Sequence, residues 1–331
     1  MDLTTEYLGL SLRNPLIASA SPLTGTLDGL RRLEDAGAAA VVLPSLFEEQ
    51  IEAEAAARER LDELGAGFAE ADGFFPRASL PAGGPPHQLR LIERARAALA
   101  IPVIASLNGT TDAGWIFYAR LAERAGAQAI ELNTYFPPLD PTLDAAAVER
   151  RHVDVLTAVK QAVQIPVAIK LGAGFSAPGA MIRRLDAAGA DGVVLFNRFY
   201  QPDIDLVTLR PWWHPSLSGK TEIRPGLLWI STLAGTLRTA IAASTGVETA
   251  EEVVKYLLVG ADVVMSTSAL LRHGPDHLRA LLEGLARWGD ARGFASVADL
   301  RGRMSRARSG WPADDARRDY IGVLQGYMGD R

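Results

Sequence analysis

The stretch TAIAASTGVETAEEVVKYLLVGADVVMSTSAL, residues 239–270, predicts two buried strands that enclose one helix. The first strand, Thr239–Ser244, is short, apolar and rich in small residues. A helix follows, with acidic Glu248 at its start and Gly260 at its end, as helix termini prefer. The second strand, Asp262–Thr267, comes directly after it. The stretch therefore indicates two neighbouring parallel strands joined by a helix.

Both strands end in small, hydroxyl-rich turns, Thr245-Gly246 and Ser266-Thr267-Ser268, and each turn leads towards a helix. The first N–H groups of a helix lack an intrahelical partner, and the helix dipole adds positive potential there, so a phosphate monoester fits. In a (β/α)8 barrel the last two strand-to-helix loops form the usual phosphate site. Alternatively, the small residues only allow close packing, and this stretch alone leaves both interpretations open.

Length and composition limit the class of protein. The 331 residues suffice for one large α/β barrel or two smaller domains, and 48% hydrophobic with 22% charged residues is ordinary for a folded protein. A net charge of −5 gives no support for nucleic-acid or membrane-surface binding. No apolar run reaches the ~20 residues of a membrane span, and the N-terminus lacks a signal pattern, so we expect a cytoplasmic protein. Cysteine is absent, which excludes disulfides and thiolate metal sites, and we expect no metal.

A repeated pattern of a helix end, Gly-Ala and an apolar strand occurs four times. The four segments are DAGAAAVVLP (35–44), RAGAQAIELN (124–133), AAGADGVVLF (187–196) and LVGADVVMST (258–267). Glycine suits the left-handed position that ends a helix. The remaining apolar strand segments are NPLIASA (14–20), IPVIASLN (101–108), IPVAIKLG (165–172) and TAIAAST (239–245).

Eight apolar strands that alternate with helices predict a (β/α)8 TIM barrel. The strands show no polar alternation, which is typical of a parallel sheet buried on both faces. An open doubly wound sheet is the alternative, but no GxGxxG follows the first strand, which counts against a dinucleotide-binding domain of that type.

Three segments fall outside the repeat. Residues 2–12 predict a short hairpin that caps the amino-terminal face of the barrel. Residues 46–88, with a helix at 51–64, and residues 199–224 are too long for simple connections. Both follow the carboxyl ends of strands, where barrel active sites are built, so we predict that both are lids. The second predicted lid contains Trp212, Trp213 and His214.

The carboxyl-terminal part predicts a helix at 273–288, then a helix pair with an appended segment. We expect residues 1–305 to form the barrel and residues 306–331 to form an extension that packs on the barrel or on a neighbouring subunit. The apolar residues that suggest this packing are Trp311, Tyr320, Ile321 and Leu324.

Polar side chains stand at or near the carboxyl ends of four predicted strands. They are Asn108, Asn133, Lys170 and Asn197. Lys170 lies within the apolar run VAIKL, so it needs a partner or a ligand, and an ion pair inside the barrel is the alternative to a ligand. Three amides and one ammonium group suit a planar heterocycle with carbonyl and imino edges. Together with the phosphate turns, they describe a phosphorylated flavin better than a sugar phosphate.

An ordered set of motifs resembles the dihydroorotate dehydrogenase family. The motifs are NPLIASAS near the start, IELN (130–133), AIKLG (168–172), ASTGVET followed by GAD and TSAL, and SVADLRGRM (296–304). The likeness covers about residues 2–305. It implies an FMN-dependent (β/α)8 barrel that acts on CH–CH groups in pyrimidine biosynthesis.

The resemblance also implies roles for individual residues. Ala20 and Ser21 would lie along the isoalloxazine ring, while Asn108, Asn133 and Lys170 would meet its polar edge. Lys170 would stand beside N1 and O2 and stabilise reduced flavin. The phosphate would be held at Thr245, Gly246, Val247, Thr267 and Ser268. Asn133 and Asn197 would match positions that touch the substrate.

Several positions depart from the family pattern. The catalytic base of the family, Cys or Ser, is replaced by Phe136, which cannot accept a proton. Pro138 and Pro76 or Arg77 stand where asparagines are usual, and Pro44 stands where a lysine is usual. Thr245-Gly246 replaces a pair of glycines. The residues that the family pattern uses to bind the flavin are therefore mostly present, whereas those that it uses for orotate are mostly absent.

Four other residues are candidates for proton transfer. They are Tyr135, Thr134, Asp140 and His214, and each has a structural alternative: loop packing, a strand-end hydroxyl, a helix cap and a surface position. We take Tyr135, Lys170 and Asn197 as the candidate catalytic set.

The leading interpretation is an FMN-dependent oxidoreductase that acts on dihydroorotate or on a related small planar substrate, and we expect a homo-oligomer. One alternative is a flavin-holding electron-transfer subunit that works with a partner; without cysteine it would carry no iron–sulfur cluster. A barrel lyase or aldolase with a Schiff base on Lys170 is the third hypothesis.

Overall fold

The computed structural model of the chain describes residues 1–49, 85–109, 112–136, 138–198, 202–212, 216–309, 320–322 and 325–326. The strands are β1 (Thr5–Tyr7), β2 (Leu10–Leu12), β3 (Leu16–Ala18), β4 (Ala40–Val42), β5 (Leu46–Phe47), β6 (Val103–Asn108), β7 (Ala129–Asn133), β8 (Val167–Gly172), β9 (Gly192–Asn197), β10 (Asp203–Asp205), β11 (Arg210–Trp212), β12 (Ala240–Ala243) and β13 (Val263–Ser266).

The helices alternate with the longer strands. They are α1 (Leu27–Asp35), α2 (Pro85–Ala98), α3 (Asp112–Arg124), α4 (Ala145–Ala162), α5 (Pro178–Ala187), α6 (Arg224–Leu233), α7 (Ala250–Val259), α8 (Ser268–His273), α9 (His277–Ala291), α10 (Val297–Leu300) and α11 (Arg306–Ser309). In the described part of the chain, no helix combines the length and the apolar composition that crossing a membrane requires.

Eight parallel strands form a closed barrel, which confirms the predicted (β/α)8 fold. They pair in the order β4, β3, β13, β12, β9, β8, β7 and β6. Pairing of β4 with β6 closes the barrel, with Val41 opposite Val103 and Val42 opposite Ile104. Each of the eight predicted apolar segments overlaps one of these strands, and β9 extends one residue beyond its segment, to Asn197. The short β5 extends the sheet along the carboxyl end of β6, with Leu46 opposite Leu107.

The barrel strands are buried on both faces, which explains their lack of polar alternation. Side chains on the outer face pack against the helices in the larger core. A second core fills the interior of the barrel and consists of Tyr7, Leu8, Leu12, Ile17, Ala39, Ala40, Val42, Ile104, Ala129, Ala168, Val194, Ala242, Val263 and Met265. Tyr7, Leu8 and Leu12 in this set come from the amino-terminal hairpin.

The predicted hairpin over residues 2–12 is confirmed as β1 paired antiparallel with β2. Leu8 (φ 54°) and Gly9 (φ 69°) form its two-residue turn, and positive φ at both positions matches the strand twist. Thr5 Oγ1 donates to the carbonyl of Asp262, just before β13. The hairpin therefore closes the barrel at the amino-terminal ends of the strands.

The stretch 239–270 forms the predicted strand–helix–strand unit. Helix α7 begins with a capping box in which Thr249 and Glu252 satisfy each other's backbone N–H groups. It ends at Gly260, whose φ of 118° belongs to the left-handed region. Thus β12 and β13 come to lie side by side in parallel.

The two predicted lids are described only in part. The predicted helix at 51–64 lies outside the described residues, as do Trp213 and His214. In the second segment, which the sequence predicts as a loop, β10 and β11 form an antiparallel ribbon instead. Asp205 explains this difference, because its carboxylate accepts hydrogen bonds from the N–H groups of Val207 and Thr208 and tightens the turn.

The carboxyl-terminal helix begins later than predicted. Gly274, at φ 83°, and the following Pro275 interrupt the predicted helix 273–288, so α8 ends at His273 and α9 begins at His277. Tyr320 and Ile321 are exposed, whereas Trp311 and Leu324 lie outside the described residues. The division of the chain at residue 305 stays a prediction.

Candidate active site

The polar residues predicted at strand ends meet at the carboxyl end of the barrel, where they form a chain of hydrogen bonds. Asn197 Nδ2 donates to Asn133 Oδ1 at 2.8 Å. Asn133 Nδ2 donates in turn to Ser45 Oγ at 3.2 Å, and Ser45 Oγ lies 2.7 Å from Ser106 Oγ. Asn108 is buried at the end of β6, opposite Phe47. The β7 and β9 asparagines therefore act as one unit, tied to the loop after β4.

Lys170 satisfies the expectation that a buried lysine needs partners. It lies on β8 opposite Asn133, and its side chain is 11% exposed. Its Nζ donates to Ser19 Oγ at 3.4 Å and lies 3.7 Å from Oε1 of the buried Glu131. The ion-pair interpretation and the ligand interpretation of Lys170 are thus compatible, because the same ammonium group also lines a cavity.

A cavity of about 170 Å³ runs from Lys170 to the turns after β12 and β13. Its lining contains eight of the predicted site residues: Ala20, Lys170, Asn197, Thr245, Gly246, Val247, Thr267 and Ser268. It also contains six further residues, of which only Ser266 belongs to a predicted phosphate turn: Ser19, Arg198, Ser218, Ser244, Met265 and Ser266. Ser21, Asn108, Asn133 and Tyr135 are not in the lining of this cavity.

The turn after β12 is a backbone cradle. Thr245 (φ 78°) and Gly246 (φ 76°) both lie in the left-handed region, which is costly for a β-branched residue and is found mainly where function requires it. Thr245 Oγ1 donates to the carbonyl of Phe196 at 2.8 Å, and the hydroxyl of Tyr256 donates to the Thr245 carbonyl at 2.9 Å. Burial raises the pKa of the Tyr256 phenol, so it remains a donor. A Cβ at Gly246 would stand 2.7 Å from Cγ2 of Ile223, so only glycine fits.

Ser218 joins the two turns from a third segment. Its Oγ donates to Ser268 Oγ at 2.9 Å and accepts from the N–H of Gly246 at 3.3 Å. The N–H of Ser218 donates to the same Ser268 hydroxyl at 3.1 Å. The sequence offers no local signal for this role, because the pairing joins residues about 50 positions apart.

The charge of the cavity lining fits a phosphorylated ligand. Of the described residues that line it, Lys170 and Arg198 are cationic and none is acidic, although the chain carries a net charge of −5. The residues of the two turns that bear hydroxyl groups, Thr245, Thr267 and Ser268, line the same cavity as Lys170. Such a lining favours an anion.

A second cavity of about 110 Å³ adjoins the first and shares Asn197 and Arg198 with it. Its aromatic walls include Tyr135, Phe136, His152 and Phe175. Arg198 is held by Glu222, with Nε 2.9 Å from Oε2. The lining of this cavity therefore combines a paired cation with aromatic side chains.

The replacements considered for the missing base have different surroundings. The hydroxyl of Thr134 donates to the carbonyl of Lys170 at 3.2 Å, as a strand-end hydroxyl would. Asp140 accepts two hydrogen bonds from Thr142 in an exposed turn. His214 lies outside the described residues, and Tyr135, 36% exposed, lines the second cavity.

Phe136 does not stand free on a lid. The guanidinium of Arg151 lies 4.1 Å from the centre of its ring, and the ring is partly buried. His152, which is not among the predicted site residues, is buried and lines the same cavity, and burial lowers the pKa of its imidazole. Its Nδ1 lies 2.8 Å from the carbonyl of Val148.

In the described ranges, no group of three or more His, Asp or Glu side chains could hold a metal ion.

Comparisons with known proteins agree with this architecture. The family model described as dihydroorotate dehydrogenase matches residues 2–288. A protein of Aeropyrum pernix, provisionally named dihydroorotate dehydrogenase A (fumarate), is 34% identical over 216 residues, which are 63% of this chain and 69% of the relative. The catalytic subunits named dihydroorotate dehydrogenase B (NAD(+)) of Pyrococcus abyssi and Pyrococcus furiosus are 28% and 29% identical, over 91% of this chain and 98% of each relative. The chain belongs to the dihydroorotate dehydrogenase family of oxidoreductases.

Proposed function

We propose that the chain is an FMN-dependent oxidoreductase that transfers hydride between the flavin and a small, planar, unsaturated substrate related to dihydroorotate. The observation that carries the proposal is the cavity from Lys170 to the two turns, lined by two cations and no acid among the described residues. When bound there, FMN supplies the hydride chemistry, which amino-acid side chains cannot perform.

The residues of this chain would bind the two ends of FMN differently. Backbone N–H and hydroxyl groups at Gly246, Val247, Thr267 and Ser268 would hold the phosphate, with Thr245 shaping the turn. Ser218 would rearrange its hydrogen bonds to admit the ligand, because it occupies the N–H of Gly246. Ala20 and Ser21 would lie along the ring system.

The polar edge of the ring would meet Lys170, Asn133 and Asn108. The ammonium group of Lys170 would favour the reduced flavin, because its charge offsets the negative charge that reduction places on that edge. The hydrogen bond from Asn197 to Asn133 would fix both amides between flavin and substrate.

The second cavity would hold the substrate. Asn197 and Arg198 offer donors for carbonyl or carboxylate groups, and the aromatic side chains of Phe136 and Phe175 suit a flat molecule. Tyr135 would transfer the proton, since Phe136 cannot. Because phenylalanine stands at the position of the family's base, a small planar substrate other than dihydroorotate fits this arrangement best.

The alternative function is a flavin-holding electron-transfer subunit. The exposed apolar side chains of the β10–β11 ribbon, namely Ile204, Leu206, Val207 and Leu209, favour a protein contact.

Anaerobic addition of dihydroorotate to the FMN-loaded protein tests the substrate. Bleaching of the flavin absorbance would show dihydroorotate oxidation and would require a base in this chain. Bleaching by another small acid with a CH–CH bond that can be oxidised, but not by dihydroorotate, is the result that we expect. Persistence of the absorbance with all such compounds, together with reduction by a partner protein, would favour the electron-transfer subunit. Failure to take up FMN would refute the proposal.

A further inference from the structure

Glu131 is a buried carboxylate directly below the proposed flavin site. It is 1% exposed, and neither of its side-chain oxygens has a hydrogen-bond partner within the described part of the chain. Glu131 lies in the run IELN, whose apolar residues are typical of a barrel strand, so a carboxylate at this position needs a physical reason. Burial disfavours the charged form of a carboxylate and is the main cause that raises the pKa of Glu131, whereas the nearby Lys170 opposes this effect.

The register of the strands places Glu131 one layer deeper than Lys170. Glu131 pairs with Ala168, whereas Asn133, two residues further along β7, pairs with Lys170. Alternate residues of a strand share one face, so Glu131 and Asn133 both face the barrel interior. Along the barrel axis, towards the carboxyl ends of the strands, the order is therefore Glu131, then Lys170, then the cavity.

Lys170 contacts Glu131 on one side and the cavity on the other. Its Nζ is 3.7 Å from Glu131 Oε1, and its attraction opposes the effect of burial on the pKa of that carboxyl. The phenol of Tyr7, from the amino-terminal hairpin, is the other titratable group that senses Glu131. Tyr7 is fully buried with no hydrogen bond among the described residues, and its pKa is raised mainly by burial and further by Glu131 and Asp262, so it stays neutral.

We propose that Glu131 is a positioning residue that holds the Lys170 ammonium group at the floor of the cavity and offsets part of its charge, thereby setting the reduction potential of the flavin. The inference rests on the proposed function and adds a residue to it. An ion pair at 3.7 Å, longer than a hydrogen bond, leaves the ammonium group able to interact with a ligand above it. The net charge that acts on the flavin from this side is the sum of the charges of the Lys170 ammonium group and the Glu131 carboxylate below it.

The test is the midpoint reduction potential of bound FMN in Glu131→Gln at constant pH. Glutamine keeps the shape and removes the negative charge, so Lys170 acts on the flavin without compensation. We expect the oxidised-to-reduced equilibrium to shift about tenfold towards reduced flavin, which is about 30 mV for a two-electron couple. Glu131→Leu, which suits burial, serves as the second variant should glutamine impair folding, and its potential should also rise.

Glu123→Gln is the matched control. Glu123 is also a carboxylate with a structural role, because its Oε1 accepts the N–H groups of Gln164 and Ile165 at the amino-terminal end of β8. This variant should lose stability with no change in potential. An unchanged potential in FMN-loaded Glu131→Gln or Glu131→Leu would overturn the inference alone. A wild-type protein that takes up no FMN would overturn the inference together with the proposed function.

Discussion

The amide of Asn197 donates a hydrogen bond to the amide oxygen of Asn133 over 2.8 Å. The two residues end β9 and β7, on either side of β8, which carries Lys170. This bond joins the carboxyl ends of two strands that flank β8, and it ties the proposed substrate cavity to the edge of the proposed flavin site. Asn133 is the central member, because it also donates to Ser45.

Asn133→Ala should therefore cost more stability than Asn197→Ala. The first variant removes two side-chain hydrogen bonds and the second removes one, at about 1 kcal/mol each. Urea unfolding of both variants measures the difference in the free energy of unfolding. Equal losses would mean that the Asn133–Ser45 bond contributes nothing measurable. Asn133→Ala should also weaken FMN binding.

Gly246→Ala should abolish FMN binding and lower stability. Its φ of 76° disfavours alanine, and a Cβ there would stand 2.7 Å from Ile223 Cγ2 and 3.0 Å from the carbonyl of Gly219. Strain of this kind costs about 1–3 kcal/mol. Gly219→Ala is the matched control, since a Cβ at Gly219 would meet nothing within 4 Å. Equal FMN affinity of the two variants, measured by fluorescence titration, would contradict the cradle.

Lys170→Met should make stability depend on pH through Glu131. Without Lys170, burial raises the pKa of the Glu131 carboxyl further, so the folded state keeps a proton that the unfolded state releases. The free energy of unfolding of the variant should then fall as pH rises from the ordinary range of a glutamate through the folded pKa. Above that range the loss relative to the wild type should approach ~3 kcal/mol, because a buried charge has lost its partner.

Unfolding by urea at about pH 5 and about pH 8 measures this effect. A loss of stability that is the same at both pH values would show that Lys170 does not govern the ionisation of Glu131. The double variant Lys170→Met with Glu131→Gln is the control, because it lacks the titrating carboxyl and should show no added pH dependence.

Phe136→Ser should destabilise the protein, because its ring packs beneath Arg151 at 4.1 Å. We expect a loss of about 1–2 kcal/mol from the cation–π contact and the partly buried ring. Leu139→Ser, at a position 84% exposed, should change stability by less than about 0.5 kcal/mol. Thermal unfolding of both variants is the measurement, and equal melting temperatures would place Phe136 on a free lid.

The barrel could be predicted because each strand carries its own signal. Gly-Ala after a helix, followed by an apolar run, marks four of the eight strands, and burial on both faces removes the polar alternation that would indicate another fold. The strand-end asparagines could be predicted for the same reason, since parallel strands bring their carboxyl ends together.

The partners of these residues could not be predicted, because they depend on distant contacts. Ser218 meets Ser268 across 50 positions, and no spacing in the sequence indicates it. Glu131 lies in a run that predicts an ordinary barrel strand, and only the register of β7 against β8 places it beneath Lys170. The β10–β11 ribbon depends on a turn built by one aspartate, Asp205, which a loop of mixed composition does not reveal.

The most direct test of the central claim compares the dissociation constants of FMN and riboflavin for the purified protein. The two ligands share the ring system and differ in the phosphate that Gly246, Val247, Thr267 and Ser268 are proposed to hold. Charge-assisted hydrogen bonds to the phosphate should make FMN bind at least about tenfold more tightly, and more if several form. Equal affinities, or no binding of either ligand, would contradict the assignment of this cavity to FMN.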